Sequence, residues 1–278
     1  MLIVVCLKQV PDTQEVKIDP RTNALVREGV PAIPNPDDLH ALAAAVAAKE
    51  AVGGRVAVLS MGPPQAVRAL RKALSLGADR AVLLSDRAFA AADTFATTYT
   101  LARGIARLAR EEREPGLVFC GKRALDGETG QVGPGLAARL NFPYLGYVVR
   151  IREITPHSIV VERRREGVTE ELESPLPALI TVEREIAPLP YAPLPRLLWA
   201  QEEEVEVWGA REIEASPEAV GLPGSPTKVI RGFVPPPPRG AEILGDGRAD
   251  PEGAAGLLAN VILELEGARE EVASRPGA

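Results

Sequence analysis

Histidine, cysteine and methionine are nearly missing from this sequence, at two residues each in 278. The two thiols, Cys6 and Cys120, sit inside apolar runs, and two buried thiols fit a reducing cytoplasm better than a disulfide framework. They form no C-x-x-C pair and read as core residues rather than nucleophiles. His40 and His157 are far apart and lack the company of a catalytic triad; a helix position and a turn position suit structural or solvated roles. H-E-x-x-H and G-x-x-x-x-G-K-[ST] are absent, which removes the usual signatures of zinc-protease and P-loop chemistry. Excess positive charge is missing too. A net charge of −6 argues against nucleic acid as a partner, because phosphate binding needs clustered Lys and Arg. No apolar run of about 18 residues points to a membrane span. The Leu2–Leu7 run is short and lacks a basic leader, so it reads as a strand and not a signal peptide.

What is present suits an ordinary soluble core: 46% hydrophobic and 25% charged residues. The length fits one large domain with an extension, or two small domains. Strand and helix signals alternate over the first 140 or so residues. Leu2–Leu7, Arg55–Ser60, Ala81–Leu84 and Leu117–Cys120 are short apolar runs, as expected of parallel strands covered on both faces. Between them, Asn35-Pro36-Asp37-Asp38 opens a helix, with Asn35 as cap and the acids facing the dipole. Leu39, Leu42, Ala43, Val46 and Ala47 mark its face, and Gly53-Gly54 ends it. Pro64–Leu76 forms the second helix. Asp93 or Thr94 opens the third, with Tyr99, Ala102, Ile105 and Leu108 as its stripe. Gln131–Leu140 is a short fourth. This alternation predicts a doubly wound, Rossmann-like α/β fold with a parallel sheet.

From Tyr147 the period changes. Tyr147–Ile154, Ser158–Arg165 and Val168–Glu173 alternate as an antiparallel meander, and Ala178–Val182 is a further strand. After Glu185 prolines recur at 188, 190, 193 and 195 and again over Pro235–Pro238, which disfavours regular ladders. Asp250 and Pro251 then open a helix whose apolar face is Leu257, Leu258, Val261, Ile262 and Leu265. The division expected is an α/β nucleotide-binding domain over 1–185 and an extended C-terminal arm over 186–278. The arm has little core of its own. Leu197, Leu198, Trp199 and Trp208 look exposed, so packing on another chain is expected ahead of packing on the first domain.

In an open parallel sheet, ligands bind at the carboxyl ends of the strands. Here those ends are Cys6–Asp12, Ser60–Pro64, Ser85–Phe89 leading to Asp93-Thr94, and Gly121–Gly133. Each carries glycines, small residues or hydroxyls that let backbone N–H groups approach phosphates. Any one of them reads as an ordinary turn; on one rim together they predict a nucleotide site. Gly133-Pro134-Gly135 with Ala138 matches G-x-G-x-x-A by letter, but lies a dozen residues past its strand, so it is a weak dinucleotide signal. No nucleophile stands with a base, and the Glu202–Glu204 run reads as a solvated face. Chemistry would therefore come from a bound cofactor.

The rim words together resemble the β subunit of electron transfer flavoproteins. They are Lys8-Gln9-Val10-Pro11-Asp12, Asn35-Pro36, Met61-Gly62-Pro63, Leu76-Gly77-Ala78-Asp79, Gly121-Lys122-Arg123-Ala124-Leu125-Asp126, Gln131-Val132-Gly133 and Pro177–Val182. The resemblance covers nearly the whole chain. It implies an adenine nucleotide α-hydrolase-like fold, a heterodimer with an α subunit that carries FAD, and either AMP or a second FAD on this chain. By motif position it implies adenine contacts from Cys6, Leu7, Asn35, Met61 and Gly62. The phosphates would meet Gly121, Ala124, Asp126, Gly130, Gln131, Val132 and Gly133. The segment Ser85–Thr97 resembles the electron-bifurcating and nitrogen-fixation branch, which implies a second FAD and hydride from NADH, with Asp86, Arg87, Asp93, Thr94 and Thr97 at the cofactor. Tyr191–Leu198 resembles the family's recognition loop, with Leu194 as anchor for an acyl-CoA dehydrogenase-like or quinone-reducing flavoprotein. The alternatives are a simple carrier with structural AMP, a nucleotide-hydrolysing α/β enzyme, and a nucleotide-sensing module without redox function.

Overall fold

The computed structural model describes residues 1–12, 31–230 and 244–273, with side chains described up to 264. The chain divides into two compact units, Met1–Gly232 and Phe233–Ala278. In chain order the first unit runs β1 (Leu2–Cys6), β2 (Gln9–Pro11), β3 (Ala32–Pro34), α1 (Pro36–Val52), β4 (Arg55–Met61), α2 (Val67–Ser75), β5 (Arg80–Leu84) and α3 (Thr94–Glu111). It continues with β6 (Pro115–Gly121), α4 (Val132–Leu140), β7 (Tyr144–Ile154), β8 (Ser158–Arg165), β9 (Val168–Pro175), β10 (Ala178–Val182), α5 (Leu194–Glu202) and β11 (Glu206–Trp208). The second unit contains α6 (Pro251–Ala273).

One nine-stranded sheet has the order β11-β5-β4-β1-β6-β10-β7-β8-β9. All pairs from β11 to β7 are parallel, while β7-β8-β9 is antiparallel. The expected antiparallel section therefore continues the main sheet, with β10 inserted between β6 and β7 and parallel to both. Strand β1 lies inside the sheet. Its successors β4 and β5 lie on one side, and β6 and β10 on the other. That reversal makes the β1/β6 edge the topological switch point.

The strands read as apolar runs because both faces are covered. Ile3, Val5, Val58, Phe119 and Ile180 pack with Leu42, Leu70 and Leu74 of α1 and α2 on one face. Val4, Leu59, Leu84 and Val118 pack with Ile105, Leu108 and Leu136 of α3 and α4 on the other. Each fully buried Leu, Ile or Phe contributes about 1.5–3 kcal/mol relative to exposure. Gly104 of α3 lets the helix sit close, since a Cβ there would meet Leu84 Cδ1 at 2.9 Å. Helix α1 departs from its expected face. Ala41 through Ala45 are all buried while Ala47 is exposed, because small alanines let most of the helix circumference pack.

Asn35 is the expected cap of α1, but its side chain makes no capping bond. It is drawn away by long-range partners, described below. Asp93 does cap α3, accepting from the Ala96 N–H at 3.0 Å. The β8–β9 hairpin turns at Glu166 and Gly167 with φ of 50° and 82°. Two left-handed residues in a two-residue loop match the strand twist.

The exposure expected of the arm is corrected in part. Trp208 is 3% exposed, within the cluster under α3, because β11 adds to the sheet edge beside β5. Arg107 lies 4.3 Å and Arg80 5.5 Å from its ring centre, and Arg80 also pairs with Glu206 at 2.7 Å. Leu197 and Trp199 are half-buried, and α5 packs on α2. Leu198 is exposed as expected. In the second unit Asp250 caps α6 through the Gly253 N–H at 3.0 Å. Leu257, Leu258 and Ile262 of that helix are about half exposed. The Leu265 side chain and Pro235–Pro238 lie outside the described residues.

Candidate functional site

The switch point is built by two side chains from the start of α1. Asp38 accepts from the Lys8 N–H at 2.8 Å and from the Gly121 N–H at 3.0 Å. Lys8 follows β1 closely and Gly121 ends β6, so one carboxylate ties the two strand ends at the crevice. Asn35, 1% exposed, does the same for the loop after β6: its Nδ2 donates to Arg123 O at 2.8 Å and its Oδ1 accepts from the Leu125 N–H at 3.2 Å. Gly121 must be glycine, since a Cβ would lie 2.6 Å from Asp38 Oδ1 and 2.7 Å from the Asp37 backbone.

Burial pushes the Asp38 carboxyl up to about 7, with the bonds from Lys8, Asn35 and Gly121 opposing and the nearby Asp37 charge adding to the rise. Asp37 itself accepts from Arg184 Nε at 2.6 Å. Lys8 Nζ lies 2.6 Å from Asp126 Oδ1 across the mouth of the crevice, and Lys122 Nζ pairs with Glu183 at 2.5 Å. Two ammonium groups thus stand at the strand ends.

The loop from Lys122 to Gln131 bends through left-handed Glu128 and Gly130, at φ 50° and 63°. It leads into α4, whose first-turn N–H groups have no intrahelical partner and carry the positive end of the helix dipole. Gly133 seats that turn against β10, where a Cβ would meet Thr181 Cγ2 at 2.3 Å. The loop after β5 reaches the same place, because Thr94 Oγ1 donates to Gln131 Oε1 at 3.0 Å. Met61 and Gly62 close the series after β4, with the Gly62 N–H donating to Leu84 O at 3.1 Å. The side chain of Arg87 is exposed beside them on the loop after β5, and Thr97 is half-buried on the first turns of α3.

The structure thus links the loops after β1, β5 and β6 by direct hydrogen bonds. Cys6 and Cys120 face each other in register on β1 and β6, both buried. The Cys120 thiol is pushed well up by its contact with Cys6 and by burial, as suits a core residue. Asp86 and Asp93 have their carboxylates engaged with protein donors, Ala88 and Ala210 for the first and Ala96 and Thr227 for the second. Both are held below the usual carboxylate range. For Asp86 the leading cause is the bond from Ala210; for Asp93 burial pushes upward but is outweighed by the bonds from Ala96 and Thr227. His40 Nδ1 sits 2.9 Å from Ala187 O, with no nucleophile as its partner. Among the described residues no group of three or more His, Cys, Asp and Glu side chains could hold a metal ion. A cavity of about 390 Å³ lies at the opposite ends of the strands, among Arg55, Arg80, Glu111, Glu112 and Glu206. Its arginines are matched by a carboxylate-rich wall, whereas the switch-point rim offers an anion the backbone amides at the start of α4, its two ammonium groups being paired with Asp126 and Glu183.

Sequence reasoning missed the role of Asp38, read only as a helix-start acid, and did not single out Lys8. The signal for Asp38 was its place three residues after Asn35, the spacing that turns both side chains toward the strand ends. Leu194, the expected partner anchor, opens α5 and is 67% exposed, next to Tyr191 at 98%. Among the described residues no helix is long and apolar enough to cross a membrane.

Comparison with known proteins gives these features a family context. The model of the electron transfer flavoprotein domain matches residues 22–212. The caffeyl-CoA reductase-Etf complex subunit CarD of Acetobacterium woodii is 47% identical over 245 residues, covering 88% of this chain and 92% of that protein. Protein FixA of Azotobacter vinelandii is 44% identical over 278 residues, covering 98% of each. The electron transfer flavoprotein subunit beta of Clostridium acetobutylicum is 46% identical over 266 residues, covering 96% of this chain and 98% of that one.

Proposed function

The chain belongs to the electron transfer flavoprotein family, in its β-subunit and FixA branch, and from that premise we propose a particular site and task for it. The chain pairs with an α subunit and binds an adenine nucleotide across the carboxyl ends of β1 and β6, as the adenosine part of a second FAD. The observation that carries this reading is the Asp38 and Asn35 stitching, which brings two rim loops into one fixed crevice. Cys6, Leu7, Asn35, Met61 and Gly62 form the adenine side. The amides of Ala124, Gly130, Gln131, Val132 and Gly133 would face the phosphates, with Asp126 ordering that loop, while the Gly121 N–H is held by Asp38 and fixes the strand end from which the loop starts. Lys8 and Lys122, paired with Asp126 and Glu183, would offset phosphate charge only by exchanging those partners for the nucleotide. Arg87, Thr94 and Thr97 stand where the rest of the cofactor would pass.

Held there, FAD would supply a two-electron hydride acceptor, with NADH as donor, able to pass its electrons singly to different acceptors. This chain supplies position and charge and no covalent chemistry. The name of the CarD relative, which joins an Etf to caffeyl-CoA reductase, supports an acyl-CoA dehydrogenase-like electron partner, with Leu194 as the contact. Two free buried thiols support a cytoplasmic setting.

The test is co-expression with the α subunit, purification, and quantification of released cofactors. Two FAD per heterodimer is the expected result. One FAD with one AMP would reduce the chain to a simple carrier, and flavin-free protein that turns over ATP would replace the reading with a hydrolase.

A further inference from the structure

We propose that residues 209–227 are a clamp that sets the position of the loop after β5, with Asp86, Asp93 and Thr227 as its positioning residues. The proposal rests on the reading that this loop is part of a nucleotide site. Its evidence is a set of contacts between two segments far apart in sequence. Asp86 Oδ1 accepts from Ala88 in its own loop at 3.0 Å, while its Oδ2 accepts from the Ala210 N–H at 2.9 Å. One carboxylate thus joins the two segments at the near end. At the far end Asp93 Oδ2 accepts from the Thr227 N–H at 3.0 Å and from its hydroxyl at 2.7 Å, while Oδ1 caps α3 through Ala96. The Asp93 N–H donates to Ser225 Oγ at 2.8 Å, and that hydroxyl donates to Gly221 O at 2.7 Å.

Between these ends the segments touch backbone to backbone. Gly221 has φ of 55°, and a Cβ there would lie 2.1 Å from Ala88 O and 2.9 Å from Ala90 O. Phe89, Ile213 and Val220 are buried together beneath the contact. The clamp is anchored in turn by β11, whose Trp208 is enclosed under α3. The two carboxylates of the loop therefore face the chain itself, leaving the Arg87 side chain exposed and Thr94 directed to Gln131 of the neighbouring loop. Ala91 in this loop stands at φ 57°, a left-handed conformation uncommon for a residue with a Cβ, which persists only where surrounding contacts hold it. The clamp supplies such contacts.

The experiment uses the complex co-expressed with the α subunit, stripped of flavin and titrated with FAD. Thr227→Val keeps the side-chain shape and the backbone donor but removes the hydroxyl donor to a carboxylate. It is expected to weaken FAD binding at the site on this chain about tenfold, and Thr227→Ser is expected to restore it to within about twofold. Amide hydrogen exchange over 88–97 rises in the Val variant and not in the Ser variant, with exchange in β1 and α1 unchanged. Asp86→Asn is the second variant should Thr227→Val fail to fold, with the same loop-confined rise expected. Wild-type affinity and wild-type protection of 88–97 in the variants would overturn the clamp. Failure of the wild-type complex to retain a nucleotide on this chain would overturn the nucleotide reading instead, and the exchange pattern would still decide the clamp.

Discussion

Replacing Asp38 by asparagine should change how stability depends on pH. The wild-type carboxyl is buried and raised to about 7 from an ordinary 3.8. A carboxyl raised on folding favours the protonated folded state, so the folded chain binds the extra proton between those two values. Stability through this group then rises as pH falls from about 7 toward 4, and it is fully penalised above 7. At about 1.4 kcal/mol for each tenfold change in proton affinity, the penalty is on the order of 4 kcal/mol at pH 8 and between roughly 1 and 2 kcal/mol at pH 5. The Asp38→Asn variant carries no such slope. Its amide oxygen can satisfy only one of the Lys8 and Gly121 N–H groups, and the other meets an NH2, at a cost of about 1–3 kcal/mol at every pH. The difference in stability between the two proteins should move by roughly 2–3 kcal/mol in favour of wild type on going from pH 8 to pH 5. Every other titrating group is common to both, including Asp37 with its Arg184 partner and the Lys8–Asp126 pair. Thermal melting in matched buffers reads the effect as a Tm difference that changes by roughly 5–10 °C. Parallel pH curves for the two proteins would refute the reasoning.

Further outcomes follow from other residues. Gly121→Ala forces a Cβ to 2.6 Å from Asp38 Oδ1 and should lose both melting temperature and nucleotide content, measured on the same preparation. Asn35→Ala leaves Arg123 O and the Leu125 N–H without their partner; it should destabilise by about 1–3 kcal/mol in urea titration and raise amide exchange in the loop after β6. Trp208→Ala opens a cavity under α3 and removes the Arg107 contact, with an expected loss of about 3–5 kcal/mol by denaturant midpoint.

Much of the fold was legible because its signals are local. Short apolar runs located β4, β5 and β10 to within a residue or so, and period-two alternation located β8, whose register with β9 is set by the two-residue turn at Glu166 and Gly167. The rim was legible as a set of strand ends, since parallel topology puts them on one side. What was not legible depends on partners far along the chain. Asn35 has the composition and position of a helix cap, yet its amide is used by Arg123 and Leu125. Strand β11 is three residues long beside an acidic run, and only its pairing with β5 makes it a strand. Asp38 looks like a dipole partner because nothing local reveals that Lys8 and Gly121 converge on it.

The most direct test of the account is the crystal structure of the chain co-expressed with its α subunit, with its native cofactors retained. The predicted result is an adenosine moiety seated between residues 6–8 and 126–133, with the diphosphate against the start of α4. A rim closed by protein, with every nucleotide held by the α subunit, would contradict it.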